Sequence, residues 1–382
     1  MTVVVVGAGL AGVRVAEELR RAGYDGGLVL VGAESTPPYD RPPLSKEVLR
    51  GTRSLADIRL RDDAFFADHD ITLRLGSAVT AVEPRRKHIL LADGDTLRYD
   101  RLVVATGLRA RALPGGESLP GVHTLRSLDD CLALRQGLDE AGAALVVGAG
   151  FIGCEVAASL RELGLTVHLV EPQPTPLAGA LGERLGELVA RWHRKAGVDL
   201  RCGTGVAELV RSGRKLRATL TDGADIDSDV VVVGIGSVPE SDWLAGSGIE
   251  VGDGVLCDER GRTTVADVWA VGDVAAWLGP DGRHRRVEHW TNAGEQARVV
   301  ARDMLGMPCG EEFLPYVWSD QFGLKLQVFG EVVPDADVTV EEDDGRRFLA
   351  TCVAEGRLVA VVAAGMAGKA ARLRRRVGQP AG

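Results

Sequence analysis

The chain has 382 residues, enough for two or three domains with their own cores, and 45% hydrophobic content with 49 glycines fits a globular α/β protein. A net charge of −9 argues against nucleic acid as the principal partner, and no apolar run approaches the ~20 residues needed to span a bilayer. The opening MTVVVVGAGL has no basic stretch before its apolar run, so it reads as a buried strand of a protein expected in the cytoplasm.

That strand, residues 3–6, runs into Gly7-Ala8-Gly9-Leu10-Ala11-Gly12, a helical pattern over 13–20, a second apolar strand over 28–31 and the acid Glu34. Pro42 and Pro43 then stiffen a loop carrying Arg41 and Lys46. A buried strand with a glycine turn follows at 101–108. The opening pattern then repeats: apolar residues 144–147, Gly148-Ala149-Gly150-Phe151-Ile152-Gly153, a helix over 154–161, a strand over 167–170 and the acid Glu171. The first glycine of such a fingerprint permits a tight turn, the second lets backbone approach a pyrophosphate, and the third lets helix and strand pack closely. The phosphates then meet a helix N-terminus, and the acid about 20 residues on grips ribose hydroxyls. Two nucleotides are therefore expected.

A second strand and glycine turn lies at 230–238, including Gly236, and residues 264–274 read as one more strand ending in Gly272-Asp273. The first module is thus expected to be discontinuous, with the second inserted in it. From residue 313 the short runs 325–329, 337–340, 348–353 and 358–362 suggest a small antiparallel sheet, then a helix from about 367. The six cysteines show no CxxC pair and no zinc-like clustering, so no metal site is expected and the thiols read as reduced and packed.

Three stretches narrow the class: Pro38-Tyr39-Asp40-Arg41-Pro42-Pro43-Leu44-Ser45-Lys46, Arg286-Val287-Glu288-His289-Trp290-Thr291-Asn292-Ala293, and Pro315-Tyr316-Val317-Trp318-Ser319-Asp320-Gln321-Phe322. With the two fingerprints they resemble the NADH-dependent ferredoxin reductases that serve bacterial Rieske-type dioxygenases and haem-thiolate monooxygenases. The resemblance covers nearly the whole chain in motif order, although the C-terminal segment is short for the family. It implies an α/β fold of two Rossmann-like dinucleotide-binding domains, as in glutathione-reductase-like flavoproteins, plus a small α+β C-terminal domain. The expected division is 1–112 with 239–309 for FAD, 113–238 for NADH, and 310–382 for the C-terminal domain.

By the same resemblance the FAD site takes Gly7, Gly9, Ala11, Gly12 and Glu34 from the first module. Arg41, Lys46, Val79, Ala105, Thr106 and Arg126 follow, Asp273 and Trp290 complete it, and Gly272 and Glu288 are further cofactor-binding candidates. The second nucleotide takes Gly148, Gly150, Phe151, Ile152, Gly153, Glu171 and Gly236. Lys46, Glu155 and Trp318 are the catalytic candidates.

Asp273 admits two readings, a cap for a helix starting at Val274 and an acceptor for the FAD ribityl chain. Trp290 and Trp318 are either core aromatics or flavin neighbours. Glu155 aligns in the repeat with Arg14; it either improves its helix through the dipole or pairs with Lys46 at the nicotinamide–flavin junction. Cys154 reads as a packed thiol. Related disulfide reductases carry a redox cysteine pair, and peroxide- or coenzyme-reducing relatives carry one cysteine on the loop occupied here by Leu44-Ser45-Lys46; this chain has neither, so electrons must leave to an external acceptor.

The expected partner is a 2Fe–2S ferredoxin, with another iron–sulfur ferredoxin as the variant, and the chain is expected to be a monomer or weak homodimer touching neither nucleic acid nor membrane. Arg283, Arg285, Arg286, Lys369, Arg372, Arg374, Arg375 and Arg376 are candidates for steering an acidic ferredoxin. The alternatives are an NADH oxidase, diaphorase or rubredoxin reductase, and a redox-sensing flavoprotein resembling apoptosis-inducing factor. Glu171, followed by Pro172-Gln173-Pro174-Thr175 with no arginine, predicts NADH over NADPH.

Overall fold

The structure, a computed structural model, describes residues 1–310 and 313–381. It divides into two compact units. The first comprises Met1–Asp40, Leu55–Arg109 and Val238–Phe313; the second comprises Arg41–Ser54, Ala110–Ser237 and Leu314–Gly382.

The first unit is built on a five-stranded parallel sheet in the order Val268–Ala270, Arg101–Val104, Thr2–Val6, Gly27–Val31, Ile71–Arg74. The chain thus returns after a long excursion to place Val268–Ala270 beside Arg101–Val104. The unbroken apolar run in Thr2–Val6 follows from burial on both faces. Val3 and Val5 pack with Leu19, Ala297 and Val300 of the helices Leu10–Arg21 and Trp290–Met304, whereas Val4 and Val6 pack with Val82, Ile89 and Leu91 of a small antiparallel sheet. Arg20, in the last turn of Leu10–Arg21, donates to the carbonyls of Tyr24, Gly26, His69 and Asp70, so a cation closes that helix end.

The second unit repeats the design with the strand order Asp199–Cys202, Thr166–Glu171, Ala143–Val147, Val230–Val233, Val122–Thr124, all parallel. Helix Phe151–Glu162 follows the central strand as Leu10–Arg21 does in the first unit. The unit also holds a five-stranded antiparallel sheet, ordered Tyr316–Gln321, Leu324–Gly330, Arg357–Ala364, Phe348–Ala354, Asp337–Asp343. Helix Ala367–Leu373 covers it through Ala370 and Leu373.

Two local readings of the sequence need correction. The strand expected over 264–274 is confined to Val268–Ala270, because a turn with Asp267 at φ 62° precedes it. Asp273 does not cap a helix: it lies in the single 3-10 turn Gly272–Val274, which passes into the strand Ala275–Leu278. The strand Tyr316–Gln321 was absent from the expected C-terminal runs, since the side chains it buries most deeply are the polar Ser319 and Gln321, which no hydrophobic alternation marks.

Candidate active site

In the first unit the fingerprint builds a cradle in which each glycine has a separate steric reason. Gly7 has φ +116°, and a Cβ there would lie 2.1 Å from the Ala105 carbonyl oxygen. A Cβ on Gly12 would lie 1.9 Å from the Gly7 oxygen, so helix Leu10–Arg21 packs on its own turn only without one. Over Gly9, by contrast, there is no atom within 4 Å of an added Cβ. That open space sits at a helix start whose N-cap is Gly9 itself, with no side-chain cap bond, which leaves first-turn N–H groups for an anion.

The other residues expected there are ordered by short contacts within this unit. Gly272 donates its N–H to Gln296 Oε1 at 2.7 Å, and a Cβ on Gly272 would lie 2.8 Å from the Ala11 methyl, so small residues are needed at both positions. Glu34 accepts from the Tyr39 hydroxyl at 2.5 Å, Thr106 donates to the Glu240 carbonyl at 2.6 Å, and the Trp290 indole N–H donates to Asp40 Oδ1 at 2.7 Å. Val79 opens the strand Val79–Glu83, and Glu288 accepts from Arg286.

The second unit repeats the cradle. Gly148 has φ +96° with a Cβ position 2.4 Å from the Gly234 oxygen, a Cβ on Gly153 would lie 1.9 Å from the Gly148 oxygen, and Gly150 again opens on space. Phe151 and Ile152 form the first turn of helix Phe151–Glu162, and Gly236 lies in the turn after Val230–Val233. The Glu171 carboxylate accepts from the N–H groups of Ala149 at 2.6 Å and Gln173 at 2.9 Å, one on each oxygen. A carboxylate has about four acceptor positions, so lone pairs remain for ribose hydroxyls. Both cradles therefore fit a dinucleotide pyrophosphate on steric grounds.

The same unit holds the segment Arg41–Ser54. Arg41 donates to the Arg126 carbonyl at 2.6 Å, and Arg126 precedes a helix capped by Ser127 and Asp130. Past the 3-10 turn Pro42–Ser45, Lys46 turns inward: its Nζ lies 3.0 Å from Glu155 Oε1 and 3.1 Å from the Pro42 carbonyl. Both charged side chains are nearly sealed from solvent, at 7% and 4% exposure. Glu155 also accepts from Ser45 Oγ at 2.6 Å, Ser319 Oγ at 2.8 Å and the Asp320 N–H at 3.2 Å. One helical turn on, Ser159 donates to the Ser45 carbonyl at 2.7 Å, so one face of the helix holds Ser45 and Lys46. A buried ion pair with so many extra donors meets the condition under which burying two charges is tolerable.

Trp318, on the strand Tyr316–Gln321, stacks on Tyr316 with ring centres 5.8 Å apart, while the Lys325 ammonium lies 5.5 Å from its ring. Sequence reasoning named Lys46, Glu155 and Trp318 but missed Ser45, Ser159, Ser319, Gln321 and His193 of the same unit. The i, i+4 spacing of Glu155 and Ser159 was a usable signal; nothing in the sequence links His193 to the others.

All six cysteines are free, and burial pushes the thiols of Cys131 and Cys202 up to about 11 and that of Cys154 well above its usual range. Such thiols are poor nucleophiles and poor redox partners. Among the described residues no group of three or more His, Cys, Asp or Glu side chains could hold a metal ion, and no helix is long and apolar enough to cross a membrane. Of the candidate steering arginines, Arg286 is committed elsewhere: at 10% exposure it pairs with Glu288 and with Asp253 at 3.2 Å. Arg285 pairs with Asp281 at 2.7 Å, and Lys369 with Glu342.

Two cradles on parallel sheets, with an antiparallel C-terminal sheet, define a dinucleotide-dependent oxidoreductase. The chain belongs to the pyridine nucleotide-disulphide oxidoreductase family, whose model matches residues 1–297, and residues 316–381 match the reductase C-terminal family. It is 37% identical to rhodocoxin reductase of Rhodococcus erythropolis, over 94% of this chain and 86% of that protein. It is 36% identical to the ferredoxin–NAD(+) reductase subunit of the benzene 1,2-dioxygenase system of Pseudomonas putida, over 94% and 88%. The reductase in the crystal structure of the covalent putidaredoxin reductase–putidaredoxin complex superposes with a TM-score of 0.93 at 32% identity, over 98% of this chain and 92% of that one.

Proposed function

We propose that the chain is a cytoplasmic FAD-dependent reductase that takes a hydride from NADH and passes electrons singly to a 2Fe–2S ferredoxin serving an oxygenase. The observation that carries this reading is the duplicated cradle, closed by glycine contacts at its first and third positions and open over Gly9 and Gly150. FAD, when bound, supplies the conversion between a two-electron hydride and single electrons. The N-terminal cradle would hold its pyrophosphate on the first turn of Leu10–Arg21, with Glu34 toward the ribose and Asp273, Thr106 and Trp290 as further lining. Arg41 and Arg126 are further proposed cofactor-binding cations.

The second cradle and Glu171 would hold NADH in the same manner, and the Glu171 carboxylate would repel a 2′-phosphate. Glu155 fixes Lys46 in position, and the pair serves the hydride transfer from NADH. Trp318 borders the route to the partner. With every cysteine free and the buried thiols pushed upward, electrons have no internal thiol acceptor, and the ferredoxin reductases among the relatives supply the acceptor class. The corresponding domains are 1–112 with 239–309 for FAD, 113–238 for NADH, and 310–382 at the C-terminus.

The test is stopped-flow reduction of the FAD-loaded protein by NADH, followed by mixing with ferredoxin. Fast bleaching of the flavin and its rapid recovery only with ferredoxin support the reading. Rapid recovery with oxygen alone, or a long-lived complex with oxidised nicotinamide that ferredoxin does not discharge, overturns it.

A further inference from the structure

Behind the Lys46–Glu155 pair lies a line of buried polar side chains that neither cradle uses. Gln321 Nε2 lies 3.0 Å from Ser319 Oγ, and Gln321 Oε1 lies 3.0 Å from His193 Nε2. Ser319, Gln321 and His193 are 0%, 1% and 0% exposed, and the other His193 nitrogen, Nδ1, has no hydrogen-bond partner. The Phe322 ring meets the imidazole edge-on at 5.0 Å.

The direction of every bond in this line is dictated from one end. Glu155, paired with Lys46, is a carboxylate and only accepts, so the Ser319 hydroxyl must donate to it. Ser319 then has no proton to offer Gln321, and the amide must present its NH₂ group to Ser319 and its oxygen to the imidazole. An oxygen facing His193 Nε2 requires the proton to sit on Nε2, which leaves the orphaned Nδ1 as a bare lone pair. Reversing the line would move a proton onto Nδ1, where a buried donor would have no acceptor; an unsatisfied buried N–H is the rarer and costlier defect. The imidazole is neutral, and burial lowers it to about 4.

We propose that His193 is a positioning residue for the Lys46–Glu155 pair, acting through Gln321 and Ser319 as a one-way relay of donors. The unpartnered Nδ1 favours the same direction that the carboxylate dictates, so Glu155 stays aimed at Lys46 instead of turning to share its lone pairs differently. The functional consequence rests on the proposed role of that pair in hydride transfer; the geometric claim does not.

The experiment uses FAD-loaded protein carrying ¹⁵N-lysine and ¹⁵N-histidine, read by NMR, with parallel stopped-flow reduction by NADH. His193→Leu removes the first donor, Gln321→Met cuts the relay without touching the helix, and His193→Gln keeps a donor where Nε2 stood. The expected result is a His193 proton on Nε2 and a slowly exchanging Lys46 ammonium signal in the parent and in His193→Gln. That signal should be lost in His193→Leu and Gln321→Met, with flavin reduction slowed about fivefold, the scale of one loosened hydrogen bond. A proton on Nδ1, or a Lys46 signal that survives both relay-cutting variants, overturns the relay. Loss of the signal with an unchanged reduction rate upholds the relay and overturns the role of the pair in hydride transfer.

Discussion

The two fingerprint modules share a backbone device and differ in what they do with charge five residues past the open glycine. In the first, Arg14 donates to Glu17 at 2.6 Å and lies 5.8 Å from the centre of the Trp290 ring, while Glu17 is also held by Arg61 at 2.8 Å. In the second, the equivalent Glu155 is buried and is neutralised by Lys46, a cation from a loop 109 residues upstream, and by donors from a strand 164 residues downstream. The cradle is a property of backbone and repeats faithfully, whereas the charge one turn further along its helix is neutralised by side chains distant in sequence and does not repeat.

The largest effect that probes this likeness is steric. Gly12→Val and Gly153→Val each force side-chain atoms into the preceding turn, and each should cost more than ~4 kcal/mol, seen as loss of the cooperative thermal transition of the corresponding unit. Gly9→Ala and Gly150→Ala meet open space, so they should change stability by no more than about 1 kcal/mol while weakening nucleotide binding in titrations. Equal destabilisation by all four would break the assigned division of labour among the glycines.

Charge should separate the modules next. Glu155→Leu strands Lys46 in a buried site and should destabilise the protein by about 3–5 kcal/mol in denaturant unfolding. Arg14→Met removes one of the two cations that the buried Glu17 holds, leaving the ion pair with Arg61 at 2.8 Å, and should cost about 1–2 kcal/mol. Similar losses for the two would mean that the second cation held by Glu17 carries no energetic weight.

A pH scan sharpens the contrast, because His193 is the buried histidine among the described residues and belongs to the second unit. Its folded value of about 4 lies below the 6.5 of the free side chain, so between these values the unfolded state binds more protons. Its contribution is therefore complete above about pH 6.5 and is lost as pH falls toward 4, amounting to roughly 3 kcal/mol at most. Hydrogen exchange should show helix Ala178–Lys195 loosening over that window before helix Leu10–Arg21 does, and His193→Gln should flatten the profile. The smallest effect concerns nucleotide choice: Glu171→Ser should raise the NADPH-to-NADH ratio of kcat/KM by about tenfold, ~1.4 kcal/mol, and an unchanged ratio would remove Glu171 from the ribose.

What was legible in the sequence follows the same line. The strands Thr2–Val6 and Ala143–Val147, the helices after them and the acids Glu34 and Glu171 announce themselves, because burial on both sheet faces and glycine sterics leave local marks. The strand Tyr316–Gln321 and the donors around Glu155 left none, since a buried polar position looks like surface until its partner is known. The turn after Val268–Ala270 misled for a related reason: an aspartate after a strand resembles a helix cap, and only the following strand Ala275–Leu278 shows otherwise.

The order in which a ribosome delivers this cluster has its own consequence. Lys46 is made before Glu155, but Ser319 comes 164 residues after it, which at 5–20 residues per second is a wait of roughly ten to thirty seconds. During that interval the nascent second module carries a carboxylate and an ammonium without their full set of donors, and helix Phe151–Glu162 without the strand that seals it. Chains cut short before residue 319 should therefore keep helix Phe151–Glu162 water-accessible around Glu155, and a chaperone that shields this stretch would be most valuable in that window.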